Sequence, residues 1–216
     1  MGKRIQTKLK FGKKTHYLII VDDEKWGILT NKVLHQFSIT SKWFATDEEI
    51  KKISEQILKF AWEKVLKYLA YRERSTQEVV TYLQKIPLKN EFVEIIIKRA
   101  RKNNYLDDNR FGDFLIQSLI IKNRSKKEIT SKLIEKGIKK IKIDKLISEQ
   151  YNDEIESNII VNQVEKSLRR YSRFPHRKKR EKCYMYLIRK GFAASKIVKY
   201  LDEILEKGND DSYKIY

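Results

Sequence analysis

Hydrophobic positions change their spacing near residue 46. Upstream, the pattern is closest to a period of two: residues 17–21 form a compact apolar run, Asp22-Asp23-Glu24-Lys25 interrupts it, and Trp26-Gly27-Ile28-Leu29 resumes it. β-branched and aromatic residues on both sides of a polar turn predict a hairpin, with residues 8–11 as a candidate third strand. Downstream, Thr46-Asp47-Glu48-Glu49 has the T-x-x-E form of a capping box, in which Thr and Glu satisfy backbone donors at a helix start. Ile50, Ile53, Ile57, Ala61, Val65 and Leu69 then recur at threes and fours, the apolar stripe of a long helix reaching about Tyr71.

From there the chain repeats itself. Arg74-Ser75-Thr76-Gln77-Glu78-Val79, ending at Leu83, returns fifty residues later as Arg124-Ser125-Lys126-Lys127-Glu128-Ile129, ending at Leu133. Both copies place Ser at the N-cap and Glu at N3, so both signal a helix start. Leu133-Ile134-Glu135-Lys136-Gly137-Ile138 has a weaker echo in Leu187-Ile188-Arg189-Lys190-Gly191-Phe192, with each glycine suited to end a helix. The stripes predict helices over 47–71, 76–86 and 89–103, then 109–122, 126–136 and 140–151, then 153–171, 178–190 and 195–207. The expected fold is mainly α: an elongated array of three tandem three-helix repeats with a short N-terminal β-hairpin-like region. Its divisions fall at 1–45, 46–107, 108–152, 153–207 and a tail at 208–216. Units of about fifty residues bury little alone, so neighbours should support one another.

Composition narrows the class. Seven Gly and two Pro in 216 residues are too few for a turn-dense sandwich, and the single Cys183 cannot form an internal disulfide. No run of about 18 apolar residues occurs and the charged head lacks a signal-peptide apolar region, so the expected location is the cytoplasm, without a membrane span. Forty-eight Lys and Arg against 29 Asp and Glu leave +19, a field that favours a polyanion or an acidic protein surface. Residues 166–190 concentrate it, with Glu181 as their one acidic residue.

Candidate chemistry is sparse. His16, His35 and His176 lie in separate segments, and Cys183 sits near an apolar face with no positioned base, which reads as structural. Asp22-Asp23 reads as a turn and Asp107-Asp108 as a helix cap, since neither brings the further oxygen ligands a metal needs. No P-loop or G-x-G-x-x-G cradle is present. No catalytic, metal or cofactor site is therefore expected. The basic stretch admits phosphate contact, and Tyr171, Phe174, Tyr184 and Tyr186 are interleaved where an exposed ring could stack on a base, although helical aromatics are more often core.

Three motifs in order resemble the RecX regulatory proteins. Tyr68-Leu69-Ala70-Tyr71-Arg72-Glu73-Arg74-Ser75 with Glu78-Val79 and Leu83 is similar to their first hallmark, and Tyr105-Leu106-Asp107-Asp108-Asn109-Arg110-Phe111 to their second. Arg124-Ser125-Lys126-Lys127-Glu128-Ile129 with Leu133 and Lys136-Gly137-Ile138 supplies the third, and the resemblance spans about residues 15 to 205. It departs at Lys85-Ile86-Pro87, where the family usually has Lys-Gly, and at Asn104, where it has Gly. The resemblance implies a cytoplasmic, non-enzymatic modulator of the RecA recombinase. Such a modulator would lie in the groove of the RecA–DNA filament and restrain strand exchange, ATP hydrolysis and co-protease activity. DNA repair, homologous recombination and the SOS response are its setting.

Expected partners are the RecA filament and single- or double-stranded DNA, met directly or within that filament by a monomer. The candidate filament or DNA contacts are Arg72, Arg74, Arg124, Lys126, Lys127, Arg169, Arg170, Arg177, Lys178, Lys179 and Arg180. The alternative is a free-standing DNA-binding protein without sequence preference, whose affinity would fall steeply with salt.

Overall fold

Alternation over the first thirty residues builds a small antiparallel sheet. The structure, a computed structural model, describes residues 2–9, 15–39 and 44–210, with side chains to residue 206 in the last helix. Strands β1 (Lys3–Leu9), β2 (His16–Val21), β3 (Glu24–Thr30) and β4 (Phe44–Ala45) lie in the order β3-β2-β1-β4. The hairpin turn is the expected Asp22-Asp23. Both residues adopt left-handed backbone, φ 47° and 65°, which matches a two-residue turn to the twist of its strands. Arg4 fastens that turn to β1: its N–H donates to Asp22 Oδ1 at 2.9 Å, its carbonyl accepts from Asp22 N–H, and its guanidinium pairs with Asp23.

The third strand is β1, which starts earlier than residues 8–11; residues 10 and 11 lie outside the described residues, as do residues 211–216 of the expected tail at 208–216, whose first three residues continue the last helix. Helix α1 (Asn31–Gln36) and β4 have no counterpart in the sequence reading. Six residues with one buried side chain, Leu34, and a two-residue strand are too short to show a period.

Helix α2 (Asp47–Leu69) begins at the predicted capping box. Thr46 N–H donates to Glu49 Oε2 at 2.9 Å, and Glu49 N–H to Thr46 Oγ1 at 3.3 Å. One stripe serves two cores. Ile50, Ile53 and Ile57 pack under the sheet with Ile5, Ile19 and Leu29, whereas Ala61, Trp62 and Val65 pack with Val79, Leu83, Ile96 and Ala100. The latter belong to α3 (Thr76–Gln84) and α4 (Asn90–Lys102). Close approach of β3 to α2 requires Gly27, because a Cβ there would stand 2.3 Å from Ile57 Cγ2.

The chain divides into two compact units, residues 1–108 and 109–216. The second holds α5 (Asp108–Ile121, with its first residue in the first unit), α6 (Lys126–Glu135), α7 (Lys140–Gln150), α8 (Asp153–Arg170), α9 (His176–Lys190) and α10 (Ala194–Asp210). A single apolar core runs through it, from Phe111 and Ile116 through Leu133, Leu146 and Val164 to Leu187 and Leu201. These six helices thus share one interior, as short units that bury little alone require. Helix α9 starts two residues before the expected position because Pro175, in extended backbone, serves as its N-cap. Asn104, the departure from the family pattern, takes the left-handed conformation that glycine would otherwise supply, φ 57°. The fold is mainly helical with a small N-terminal sheet, and no helix among the described residues is long and apolar enough to cross a membrane.

Two outcomes follow from this packing. Gly27→Ala must displace the buried Ile57, and urea denaturation should show a loss of about 1–3 kcal/mol, the usual cost of overpacking. Ser125 is fully buried, accepts from Glu128 N–H and donates to the Lys190 carbonyl, whereas the Thr46 cap is solvent-exposed. Ser125→Ala should therefore cost about 1–3 kcal/mol and Thr46→Ala only about 1; equal losses would show that burial of the cap adds nothing.

Candidate functional site

Each repeated Arg-Ser-x-x-Glu motif folds into a charged knot around a buried serine. At the start of α3, Ser75 Oγ accepts from Glu78 N–H at 3.2 Å, and Glu78 Oε2 accepts from Ser75 N–H at 3.3 Å. The same carboxylate receives Arg72 through both terminal nitrogens, Nη2 to Oε1 at 2.8 Å and Nη1 to Oε2 at 3.1 Å. Those hydrogen bonds push the Arg72 pKa up. Arg74 lies with its guanidinium 4.1 Å from the Tyr68 ring centre, and Tyr68 stacks on Tyr82 at 4.2 Å and 3°. Arginine and two phenols form a three-layer stack, with the arginine Nε buried inside it.

Asp108 completes this knot from thirty-two residues away. It stands in the first turn of its own helix, residues 108–121, and also accepts from Thr76 N–H at 2.8 Å, adding a carboxylate to the positive start of α3. Arg101 donates to Thr76 Oγ1 and stands 4.0 Å from Asp108. Local spacing around Asp107-Asp108 carried no sign of this partner.

The second copy is built alike, with a different outer partner. Glu128 accepts from Ser125 N–H at 3.1 Å, from Arg124 Nη1 at 3.0 Å and from Lys190 Nζ at 3.4 Å. The end of α9 therefore docks on the start of α6. Gly191 permits that docking: its φ is 87°, and a Cβ would meet the Lys127 methylenes at 2.5–3.1 Å.

The basic stretch from 166 to 190 is less free than its sequence suggests. Arg180 makes a two-pronged pair with Asp202 on α10 at 2.9 and 3.0 Å, which raises the arginine pKa and lowers the aspartate's. Arg169 lies 3.9 Å from Glu165 one turn back. Arg170 covers Tyr171 and Tyr186, Lys182 covers Tyr171 and Phe174, Lys178 reaches Phe174, and Lys190 reaches Tyr186. The chain's own cations thus cover faces of three of the four candidate base-stacking rings, Tyr171, Phe174 and Tyr186, while Tyr184 packs against the apolar core. Cys183 is fully buried, and burial pushes its thiol pKa up, as a structural cysteine requires.

The candidate contacts consequently fall into two sets. Arg72, Arg74, Arg124, Arg169, Arg170 and Arg180 engage groups of their own unit, while Lys126, Lys127, Arg177 and Lys178 are exposed and Lys179 is half-buried. Lys127 and Arg124 also line a cleft of about 460 Å³ in the second unit, together with Lys122, Lys132, Arg189 and Lys190. Sequence reading places Arg189 and Lys190 in the basic stretch without naming them as contacts, and does not single out Lys122 and Lys132 at all. The latter two lie outside the densest basic window, and only packing of the end of α9 against α5 and α6 gathers all six. Among the described residues, no group of three or more His, Cys, Asp and Glu side chains is placed to hold a metal ion.

Comparison with known proteins agrees with this architecture. Residues 61–99 match the first three-helix domain of RecX and residues 154–201 its third. The regulatory protein RecX of Limosilactobacillus reuteri (strain DSM 20016) is 29% identical over 206 residues, covering 92% of this chain and 77% of the relative. That of Streptococcus gordonii is 26% identical, covering 97% and 85%. A crystal structure of regulatory protein RecX superimposes with a TM-score of 0.66 at 26% identity, over 93% of this chain and 99% of the other. With two of its three-helix domains matched and likeness along nearly its whole length, this chain belongs to the RecX family, a family of regulators and not of enzymes.

Proposed function

We propose that this chain binds the RecA–DNA filament and restrains RecA, slowing strand exchange, ATP hydrolysis and co-protease activity. Membership of the RecX family carries the reading. The charge is consistent with it: at +19, the chain is drawn to a filament whose nucleic acid is polyanionic. The helices also group naturally as α2–α4, α5–α7 and α8–α10, three repeats over 46–107, 108–152 and 153–207. Several modest contacts spread over such repeats add through effective concentration, so no single tight site is needed. A monomer in the cytoplasm, acting in DNA repair, recombination and SOS control, is the corresponding setting. The exposed cations Lys126, Arg177 and Lys178 also favour a direct contribution from DNA. In this reading, that contribution assists filament binding and does not replace it.

Purified RecA on single-stranded DNA should lose ATPase and strand-exchange activity in proportion to added chain, at low and at moderate salt. No effect on either activity, with no co-sedimentation with the filament, defeats the proposal. Tighter binding to bare DNA than to the assembled filament would favour the free-standing DNA-binding alternative.

A further inference from the structure

The cleft in the second unit has a lining that specifies its ligand by chemistry. Six cations, Lys122, Arg124, Lys127, Lys132, Arg189 and Lys190, surround it with one acid, Glu128. That acid is already held by Arg124, Lys190 and Ser125 N–H. Lys132 is paired with Glu135 at 2.5 Å. Lys122, Lys127 and Arg189 are therefore the outward set, with Arg124 and Lys190 positioning residues that fix the floor.

Three features discriminate among anions. No aromatic ring lines the cleft, so it offers no platform for a base. The start of α6, ordinarily a cradle for a terminal phosphate, is occupied by the chain's own Ser125–Glu128 capping box, which places a carboxylate where a free nucleotide's phosphate would sit. Leu119 is the one large apolar residue in the lining, too little for the apolar anchor of a protein partner. Several cations without an anchor or a base platform suit a ligand held by distributed charge.

We infer that this cleft binds the phosphodiester backbone of a nucleic-acid strand, with Lys122, Lys127 and Arg189 as its phosphate contacts and no reading of bases. The inference rests on the proposed action at a DNA-bearing filament and names the chain's DNA-facing cleft. Lys127 keeps its aliphatic stem on Gly191 while its ammonium group is presented, so glutamine substitutions remove charge with little loss of packing.

Fluorescence anisotropy of a labelled oligothymidylate tests the inference across about 50 to 200 mM salt. The triple variant Lys122→Gln, Lys127→Gln, Arg189→Gln should bind at least about tenfold more weakly at low salt, and its slope of log affinity against log salt should be shallower by about 2, three lost contacts at about 0.7 each. A control triple of exposed lysines, Lys140→Gln, Lys142→Gln and Lys145→Gln, removes the same charge elsewhere in the unit and should leave the slope close to wild type. Matching melting curves establish that all three proteins are folded. An equal loss in the control, or competition by ATP or polyglutamate as effective as unlabelled oligonucleotide, overturns the assignment. Unchanged binding by the cleft variant while wild type still inhibits RecA overturns the cleft alone; absence of wild-type binding to both oligonucleotide and filament overturns the proposed function as well.

Discussion

A serine hydroxyl with no access to water must find its hydrogen bonds within the protein, and that constraint organises both copies of the repeated motif. Ser75 and Ser125 are fully buried at the starts of α3 and α6. Leaving such a group unpaired costs about 1–3 kcal/mol, so each accepts from the N–H three residues on. Glutamate at that third position returns the bond to the serine N–H and is itself largely shielded, which in turn requires a cation. Arg72 answers in the first copy, Arg124 and Lys190 in the second. The Arg-Ser-x-x-Glu pattern is therefore a folding device before it is a binding motif.

This changes what the positive charge means. An arginine whose two prongs are fixed on a carboxylate of its own chain has exchanged water for a stronger partner, and releasing it to bind phosphate would strand that carboxylate. Arg72 and Arg180 are in this position, and Arg124 holds Glu128 through one nitrogen. Lysines on the solvent side have no such obligation. On the proposed reading, contact with nucleic acid thus falls more to Lys122, Lys127 and Arg189 around the cleft than to the arginines that make the motif recognisable.

The helices were legible because their apolar stripes recur at helical spacing and the starts of α2, α3, α6 and α8 carry side-chain caps: α2 to α10 lie within a few residues of the positions that periodicity gives. Elements of six residues or fewer, α1 and β4, were not, since a period needs more residues than they have. Partnerships across distance were equally hidden. Asp108 serves Thr76, Asp202 holds Arg180 and Lys190 reaches Glu128, and each pairing depends on how helices pack. A charge window along residues 166–190 counts cations but omits the carboxylates that other helices bring to them. For the same reason the cleft at α5, α6 and α9 was only half visible: Arg124 and Lys127 stood out by motif, Lys122 and Lys132 by nothing local.

The central claim is a division of labour, with glutamate-held arginines shaping the repeats and outward lysines meeting the DNA of a RecA filament. A cryo-electron density map of the chain on a RecA–DNA filament tests it most directly. The account predicts continuous density along the filament, the Glu78 and Glu128 knots intact, and the cleft of Lys122, Lys127 and Arg189 against DNA phosphates. A map in which Arg72 and Arg124 leave their glutamates to contact DNA while the cleft faces solvent would contradict it.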